Sequence, residues 1–292
     1  MQNTDFEKMR IVTTITDLRG QIKQWQQTGE SIALVPTMGN LHEGHLQLVR
    51  TARKTADRVV VSIFVNPTQF GEGEDFAAYP RTEREDREKL HENAVDLLFL
   101  PAVQEIYPPG CNTFITVNGI SDLHCGASRL GHFSGVATIV CKLFYMVLPD
   151  FALFGEKDWQ QLAVIRCMVR DLNIPVAIVA VPTVREADGL AMSSRNAYLT
   201  PAQRRRAPKL YQSLLDAREM LVSGAMDFSV IEQQQVQFLA EAGFQPDYFS
   251  ICCADNLLPA ARFDRDLVIL VAAKLGKARL IDNVQVKKSP GD

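Results

Sequence analysis

Short apolar runs, each about one strand long, recur through the first part of the chain. They are Ser31–Val35, Val59–Val65, Ala94–Pro101, Phe151–Phe154 and Pro175–Pro182. Runs without polar alternation predict strands buried on both faces, as in a parallel sheet. Between them, apolar residues fall at helical spacing. Helices are predicted over Ile15–Gln27 with Thr16 as N-cap and Gly29 closing it, and over about 44–56. Others run from Thr82 through His91, with Thr82 and Glu85 as a capping box, over Ser134–Leu148 ahead of Pro149, and from Trp159 to about Leu172. Phe114–Val117 predicts one more short strand. Strand and helix alternating in this order predict right-handed parallel crossovers. After residue 185 the pattern changes. A long helix opened by Pro201 carries Leu210, Leu214, Leu215 and Leu221, and a second covers Phe228–Ala242. Strands Tyr248–Cys253, Leu267–Ala273 and Ala278–Ile281 follow. The fold class is therefore α/β, a Rossmann-like doubly wound parallel sheet over 1–185, with a second, smaller α+β domain over 186–292.

Composition narrows the function classes. Of 292 residues, 47% are hydrophobic and 22% charged, the balance of a soluble globular protein with a full core. A net charge of −3 leaves no electrostatic footprint for nucleic acid, and Arg204–Arg206 reads as a solvated helix face. Six cysteines without C-x-x-C spacing suit a reduced, cytoplasmic setting. No apolar run approaches the roughly 20 residues that span a bilayer. The polar Met1–Asp5 lacks the apolar core of a signal peptide. The acidic loop Gly71–Phe76 is expected to be mobile and the tail Lys287–Asp292 frayed.

Candidate chemistry gathers where the predicted strands end. Pro36–His45 joins strand to helix through a turn holding Gly39 and Gly44, with His42 and His45 three residues apart. Such a junction offers free N–H groups and a helix dipole to an anion. It also fits an ordinary capped helix carrying two surface histidines. Gly155-Glu156-Lys157-Asp158 places a lysine at another strand-to-helix turn, suited to a phosphate or simply solvated. Gly189–Asn196 supplies Ser193, Ser194 and Arg195, which could wrap a triphosphate or merely link domains. Gln69 and Gln161 offer amides suited to a hydroxy acid, though either could lie on the surface. No acyl-transfer triad, metal cage, G-x-G-x-x-G or P-loop is present, so phosphate handling is the site logic.

Met38-Gly39-Asn40-Leu41-His42-Glu43-Gly44-His45 resembles the HIGH-type motif of the class I nucleotidylyltransferase superfamily, and Met192-Ser193-Ser194-Arg195 its KMSKS counterpart. With Phe64–Phe70 and Phe154–Leu162, the chain resembles the pantoate–β-alanine ligase family from about residue 10 to about 285. The resemblance implies an ATP-dependent ligase that joins pantoate to β-alanine through a pantoyl adenylate, releasing pyrophosphate and AMP. It implies His45 as the catalytic proton donor, with His42 and Lys157 beside it on the phosphates. ATP would be bound by Met38–His45, Gly155–Asp158, Val184 through its backbone, and Met192–Arg195. Gln69 and Gln161 would hold pantoate, Gln69 would also touch β-alanine, and Arg129, in a loop the family uses near the site, is a further substrate-binding candidate. Mg2+ would accompany ATP. The family further implies a cytoplasmic homodimer, while charge and run length give no nucleic-acid or membrane partner. The acidic loop 71–76 or the second domain is expected to close over bound ATP and shield the adenylate from water. The rival functions are a nucleotidylyltransferase that stops at adenylation, a regulatory nucleotide binder, and an RNA-binding relative of the class I synthetases, which a net charge of −3 fits poorly.

Overall fold

The protein is described from a computed structural model covering residues 9–71, 73, 74 and 76–287. Glu72 and Asp75 of the acidic loop, and residues 288–292 of the tail, lie outside the described residues. In chain order the elements are β1 (Arg10–Val12), α1 (Ile15–Gln27), β2 (Ile32–Thr37), α2 (Glu43–Thr55), β3 (Arg58–Ile63), α3 (Glu83–Glu92) and β4 (Leu97–Phe99). Next come α4 (Val103–Ile106), α5 (Cys125–Ser128), α6 (His132–Val147), β5 (Phe151–Gly155), α7 (Trp159–Asp171) and β6 (Ala177–Val181). The last are α8 (Pro201–Arg206), α9 (Lys209–Val222), α10 (Phe228–Glu241), β7 (Gln245–Cys253), β8 (Asp266–Leu275) and β9 (Ala278–Lys287). Two compact units interleave along this order. One comprises Met1–Val117, Arg129–Glu156 and Val164–Pro182; the other Asn118–Ser128, Lys157–Ala163 and Thr183–Asp292.

The first unit holds a six-stranded parallel sheet, ordered β1-β4-β3-β2-β5-β6. Ala33, Val35, Val59, Val61, Leu98 and Leu153 form one face, packed on Leu48, Val49 and Ala52 of α2 and Leu90 of α3. Side chains alternate along a strand, so Phe154 leaves the other face. There it meets Phe144 of α6 edge-on, with ring centroids 6.5 Å apart. Helices on both faces explain why the strands read as unbroken apolar runs. From β2 the chain winds outward through β3 and β4, then returns to β5 on β2's other side. The β2/β5 junction is therefore the topological switch point, where open α/β sheets leave a crevice at the strands' carboxyl ends.

The second unit is a three-stranded antiparallel sheet, β7-β8-β9, with helices on one face. Leu267, Ile269, Val271 and Ala273 pack with Leu210, Leu214 and Leu221 of α9 and Ile231 and Leu239 of α10. The alternate residues Val268 and Leu270 pack on Trp159 and Leu257.

Several local expectations are corrected. The N-cap of α1 is Thr14, whose side chain accepts the Asp17 N–H, not Thr16. Thr82 makes no capping hydrogen bond, because its hydroxyl donates to Asp86 instead (3.1 Å). Phe114–Val117 forms no strand. Its backbone is held by α6 side chains, with Thr138 Oγ1 accepting from Ile115 N–H and Ser134 Oγ donating to Ile115 C=O. The long helix after Pro201 breaks into α8 and α9 at Ala207–Pro208, since Pro208 has no N–H to continue the ladder. The sheet's sixth strand, β1, was not anticipated.

Candidate active site

At the carboxyl end of β2 the chain turns through Gly39 at φ +80°, a left-handed conformation that favours glycine. A Cβ there would stand 3.0 Å from Ile63 Cγ2 and 3.1 Å from Asp86 Oδ2. The turn is held by Asp86 of α3, which is 1% exposed. Its Oδ2 accepts the Asn40 N–H (2.8 Å) and its Oδ1 the Leu41 N–H (2.7 Å), while Lys89 Nζ donates to Leu41 C=O (2.6 Å). Such charge-assisted bonds to backbone are short and strong. They fix the chain just ahead of α2.

The two histidines form the cap of α2. His42 is the N-cap residue, and its Nδ1 accepts the Gly44 N–H at 3.2 Å. His45 reaches back, its Nδ1 accepting the His42 N–H at 3.3 Å. The ring centroids lie 4.1 Å apart. A neutral imidazole that accepts at Nδ1 carries its proton on Nε2. Both rings are thus set as Nε2–H donors at a helix N-terminus that already favours an anion.

Gln69 closes the 3-10 turn Pro67–Gln69 after β3. Its Oε1 accepts from Asn66 Nδ2 (3.1 Å), and its Nε2 lies 3.0 Å from Met38 Sδ. Asn66 is itself buried and tied to Tyr107 OH (2.9 Å), Thr68 Oγ1 (2.9 Å) and Gly135 C=O (3.1 Å). Arg129 forks onto Glu74 with two 2.6 Å bonds, lies 2.9 Å from His132 Nε2, and donates to Gln69 C=O at 3.4 Å. Burial pushes the Glu74 carboxyl up, but the Arg129 hydrogen bonds and charge outweigh it and bring it to about 2. Arg129 is thus engaged with the acidic loop and with the backbone of Gln69.

In the second unit, Lys157 sits in the 3-10 turn Glu156–Asp158 that precedes α7. Gln161 is half-buried on the first turn of α7. Its neighbour Gln160 is structural, accepting from Cys125 N–H and donating to Ile120 and Leu123 carbonyls. The loop Val184–Arg195 doubles back on itself: Met192 N–H donates to Val184 C=O (3.0 Å) and Glu186 N–H to Leu190 C=O (2.8 Å). Gly189, at φ +91°, makes the reversal against the Tyr211 ring. Arg204 pairs with Glu186 and Asp188, and Asn196 Nδ2 donates to Glu186 (3.0 Å) and Ala191 C=O (3.1 Å). Ser193 Oγ caps the next turn by accepting the Arg195 N–H at 3.3 Å.

Sequence reasoning therefore picked residues that the first unit brings together: Met38–His45, Gln69 and Arg129 form one hydrogen-bonded neighbourhood, Gly155 ends the adjoining β5, and Glu156 follows it. Lys157, Asp158, Gln161, Val184 and Met192–Arg195 belong to the second unit. It missed Asp86, Asn66 and Tyr107, which hold these side chains, and Arg185, Asp282 and Asn283 in the second unit. Asp86 lies in the run Glu83–Glu92, indistinguishable by pattern from a solvated helix. Among the described residues no group of three His, Cys, Asp or Glu is placed to hold a metal, and no helix is long and apolar enough to cross a membrane.

Comparison with known proteins gives one family. The family model described as pantoate-beta-alanine ligase matches residues 10–285. A pantothenate synthetase from Marinobacter nauticus is 53% identical over 282 residues, covering 96% of this chain and 100% of that protein. One from Methylococcus capsulatus is 55% identical over 280 residues, covering 95% and 98%. The crystal structure of pantothenate synthetase from Thermus thermophilus matches with a TM-score of 0.91 at 48% identity, covering 96% of this chain and 100% of that one. The pantoate-beta-alanine ligase from Francisella tularensis, complexed with beta-gamma ATP and beta-alanine, matches with a TM-score of 0.81 at 34% identity, covering 97% and 100%.

Proposed function

The chain belongs to the pantoate–β-alanine ligase family, and on that premise we propose that it condenses pantoate with β-alanine using ATP. In the first step a pantoate carboxylate oxygen bonds to the α-phosphorus and the bond to the leaving pyrophosphate breaks. In the second, the β-alanine amine bonds to the acyl carbon, AMP leaves with the carboxylate oxygen, and the amine's surplus proton passes to solvent.

The observation that carries this reading is the reciprocal His42–His45 cap at the switch-point end of β2, locked by Asp86. Two preset N–H donors at a helix N-terminus suit the negative charge that grows on the leaving pyrophosphate. We assign His45 as the proton donor, with His42 and Lys157 beside it on the phosphates. Met38–His45, Gly155–Asp158, the Val184 backbone and Met192–Arg195 are proposed to hold ATP, and Gln69 and Gln161 pantoate, with Gln69 also meeting β-alanine. The order imposed on Gln69 by Asn66 supports its role, because an amide must be oriented to discriminate a hydroxyl from a carboxylate. Arg129, forked onto Glu74, is proposed to act by steadying Gln69 and the acidic loop.

MgATP is the proposed substrate, since phosphates commonly supply most of the ligands of Mg2+. A cytoplasmic homodimer is proposed on the family resemblance; closure of the acidic loop or of the part after residue 185 over ATP is proposed because it would shield the adenylate from water. Protease cleavage unaltered by ATP would count against that closure.

The decisive experiment is pyrophosphate release from ATP and pantoate, with and without β-alanine, with products identified by mass spectrometry. Multiple turnovers yielding pantothenate only when β-alanine is present are expected. Sustained turnover without amine would favour an adenylyltransferase that stops at the first step.

A further inference from the structure

Asp282 and Asn283, adjacent in β9, are two of the few polar residues buried in the second unit, at 3% and 6% exposure. Adjacent residues on a strand leave opposite faces. Asp282 shares its face with Leu280, Val284 and Val286, which pack with α9. There both of its oxygens receive the guanidinium of Arg185, at 2.6 and 3.0 Å. Arg185 in turn donates to Gly189 C=O (3.1 Å) and lies 3.6 Å over the Tyr211 ring. The loop that carries Ser193, Ser194 and Arg195 is thereby fastened at its root. Asn283 faces the other way, and its Nδ2 donates to the main-chain carbonyl of Lys157 at 2.9 Å. The Asn283 main-chain N–H also donates to Asp282 Oδ1 at 2.8 Å, which ties the Asp282 carboxylate to the backbone between the two residues.

We propose that Asp282 and Asn283 are a positioning pair that sets the register between Lys157 and the loop Val184–Arg195, through opposite faces of one strand. Neither residue touches a reacting atom. Their role is to keep an ammonium, two hydroxyls and a guanidinium at fixed separation, so that one triphosphate can meet all of them. Stability alone does not call for this arrangement. A buried ion pair costs desolvation, and well-packed apolar side chains serve as well or better. A bidentate fork and an amide aimed at one carbonyl instead specify geometry. Preset geometry is what phosphoryl and adenylyl transfer demand of a protein.

The inference rests on Lys157 being a phosphate ligand, and the test separates the two. ATP affinity is measured by calorimetry without pantoate, in the whole protein, for Asn283→Ala, Lys157→Ala and the double variant, each with its melting curve. Loss of one neutral hydrogen bond is expected to weaken ATP binding by about 10-fold in Asn283→Ala. In the Lys157→Ala background the same change is expected to add less than about 2-fold, because interacting residues are non-additive. Wild-type affinity in a folded Asn283→Ala overturns the proposal while leaving Lys157's role intact. An equal loss in both backgrounds also overturns it, since a general structural defect would act that way. Wild-type affinity in Lys157→Ala overturns Lys157's role and the proposal together. Should Asn283→Ala fail to fold, Asn283→Leu keeps the volume without the donor. Asp282→Asn, measured against Arg195→Ala in the same design, reads the other arm with the same outcomes.

Discussion

At the scale of single residues, the two histidines of α2 differ in what they must supply. His45, whose Nδ1 is held by the His42 N–H, presents its other nitrogen with a proton already in place. Replacing His45 with Ala removes that donor and leaves the Asp86-held turn intact. The adenylation rate is expected to fall by roughly 10²–10⁴-fold, the usual worth of a positioned proton donor. Pantoate affinity should stay within about 2-fold, because uniform binding is untouched. Single-turnover formation of the adenylate, beside calorimetric titration of pantoate, measures both; near-normal turnover would remove His45 from the mechanism. The histidines were legible because strand, glycine turn and helix surround them, whereas Asp86 was not. A carboxylate in a run of eight charged residues out of ten gives no sign that folding will bury it. A second residue-scale prediction concerns Glu74. Its carboxyl is lowered from 4.5 to about 2, so it binds fewer protons folded than unfolded. The stability it adds is complete above about pH 4.5 and is lost as pH falls towards 2. Urea midpoints across that window should decline more steeply for the wild type than for Glu74→Gln. Parallel curves would mean that the Arg129 fork contributes nothing.

Elements show where local rules are overruled by neighbours. Strands β2, β3 and β5 announced themselves, being buried on both faces, whereas β1 has only three residues and pairs with β4 alone at the sheet's edge. Nothing in Arg10-Ile11-Val12 separates such a strand from any short apolar stretch. Phe114–Val117 has the composition of a strand, yet Thr138 and Ser134 take its backbone groups and no ladder forms. Helix α6 carries the sharpest test. Gly135 lies inside this helix, where propensity alone says that Ala should stabilise by about 1 kcal/mol. A Cβ at that position, however, would stand 2.3 Å from Thr68 C=O, in the turn that ends at Gln69. The clash is with backbone and cannot be relieved by a rotamer change. Overpacking costs of about 1–3 kcal/mol therefore win, and Gly135→Ala should destabilise. Because the strained turn carries Asn66 and Gln69, pantoate binding should weaken with it. Thermal melts and pantoate titration give both signs, and a higher melting temperature with unchanged pantoate binding would show that the turn yields freely.

For the whole molecule, order along the chain and membership of a unit are different things. The shift in pattern after residue 185 is visible in the sequence. That Asn118–Ser128 and Lys157–Ala163 join the later unit is not, because only long-range packing decides it. Those two segments supply much of what covers one face of the antiparallel sheet. Trp159 packs on Cys252, Val268 and Leu270, and its indole N–H donates to Ala254 C=O at 3.1 Å. Ile120 and Leu123 border the same cluster. Cys125 Sγ lies 3.0 Å from Tyr248 OH, and Asn283 spends its amide on Lys157. A fragment of residues 186–292 would keep the face packed on α9 and α10 and strip the other. It would expose a contiguous apolar surface on β7 and β8, and it would take Cys125 from Tyr248 and the Lys157 carbonyl from Asn283. Burial of one face only, with hydrogen bonds lost on the other, is the condition in which secondary structure persists while fixed packing is lost. The fragment should therefore show far-UV circular dichroism with strong binding of a hydrophobic dye and no cooperative melt. A sharp two-state transition in the isolated fragment would mean that the helices and three strands suffice, and that residues 118–128 and 157–163 are held by this unit without sustaining it.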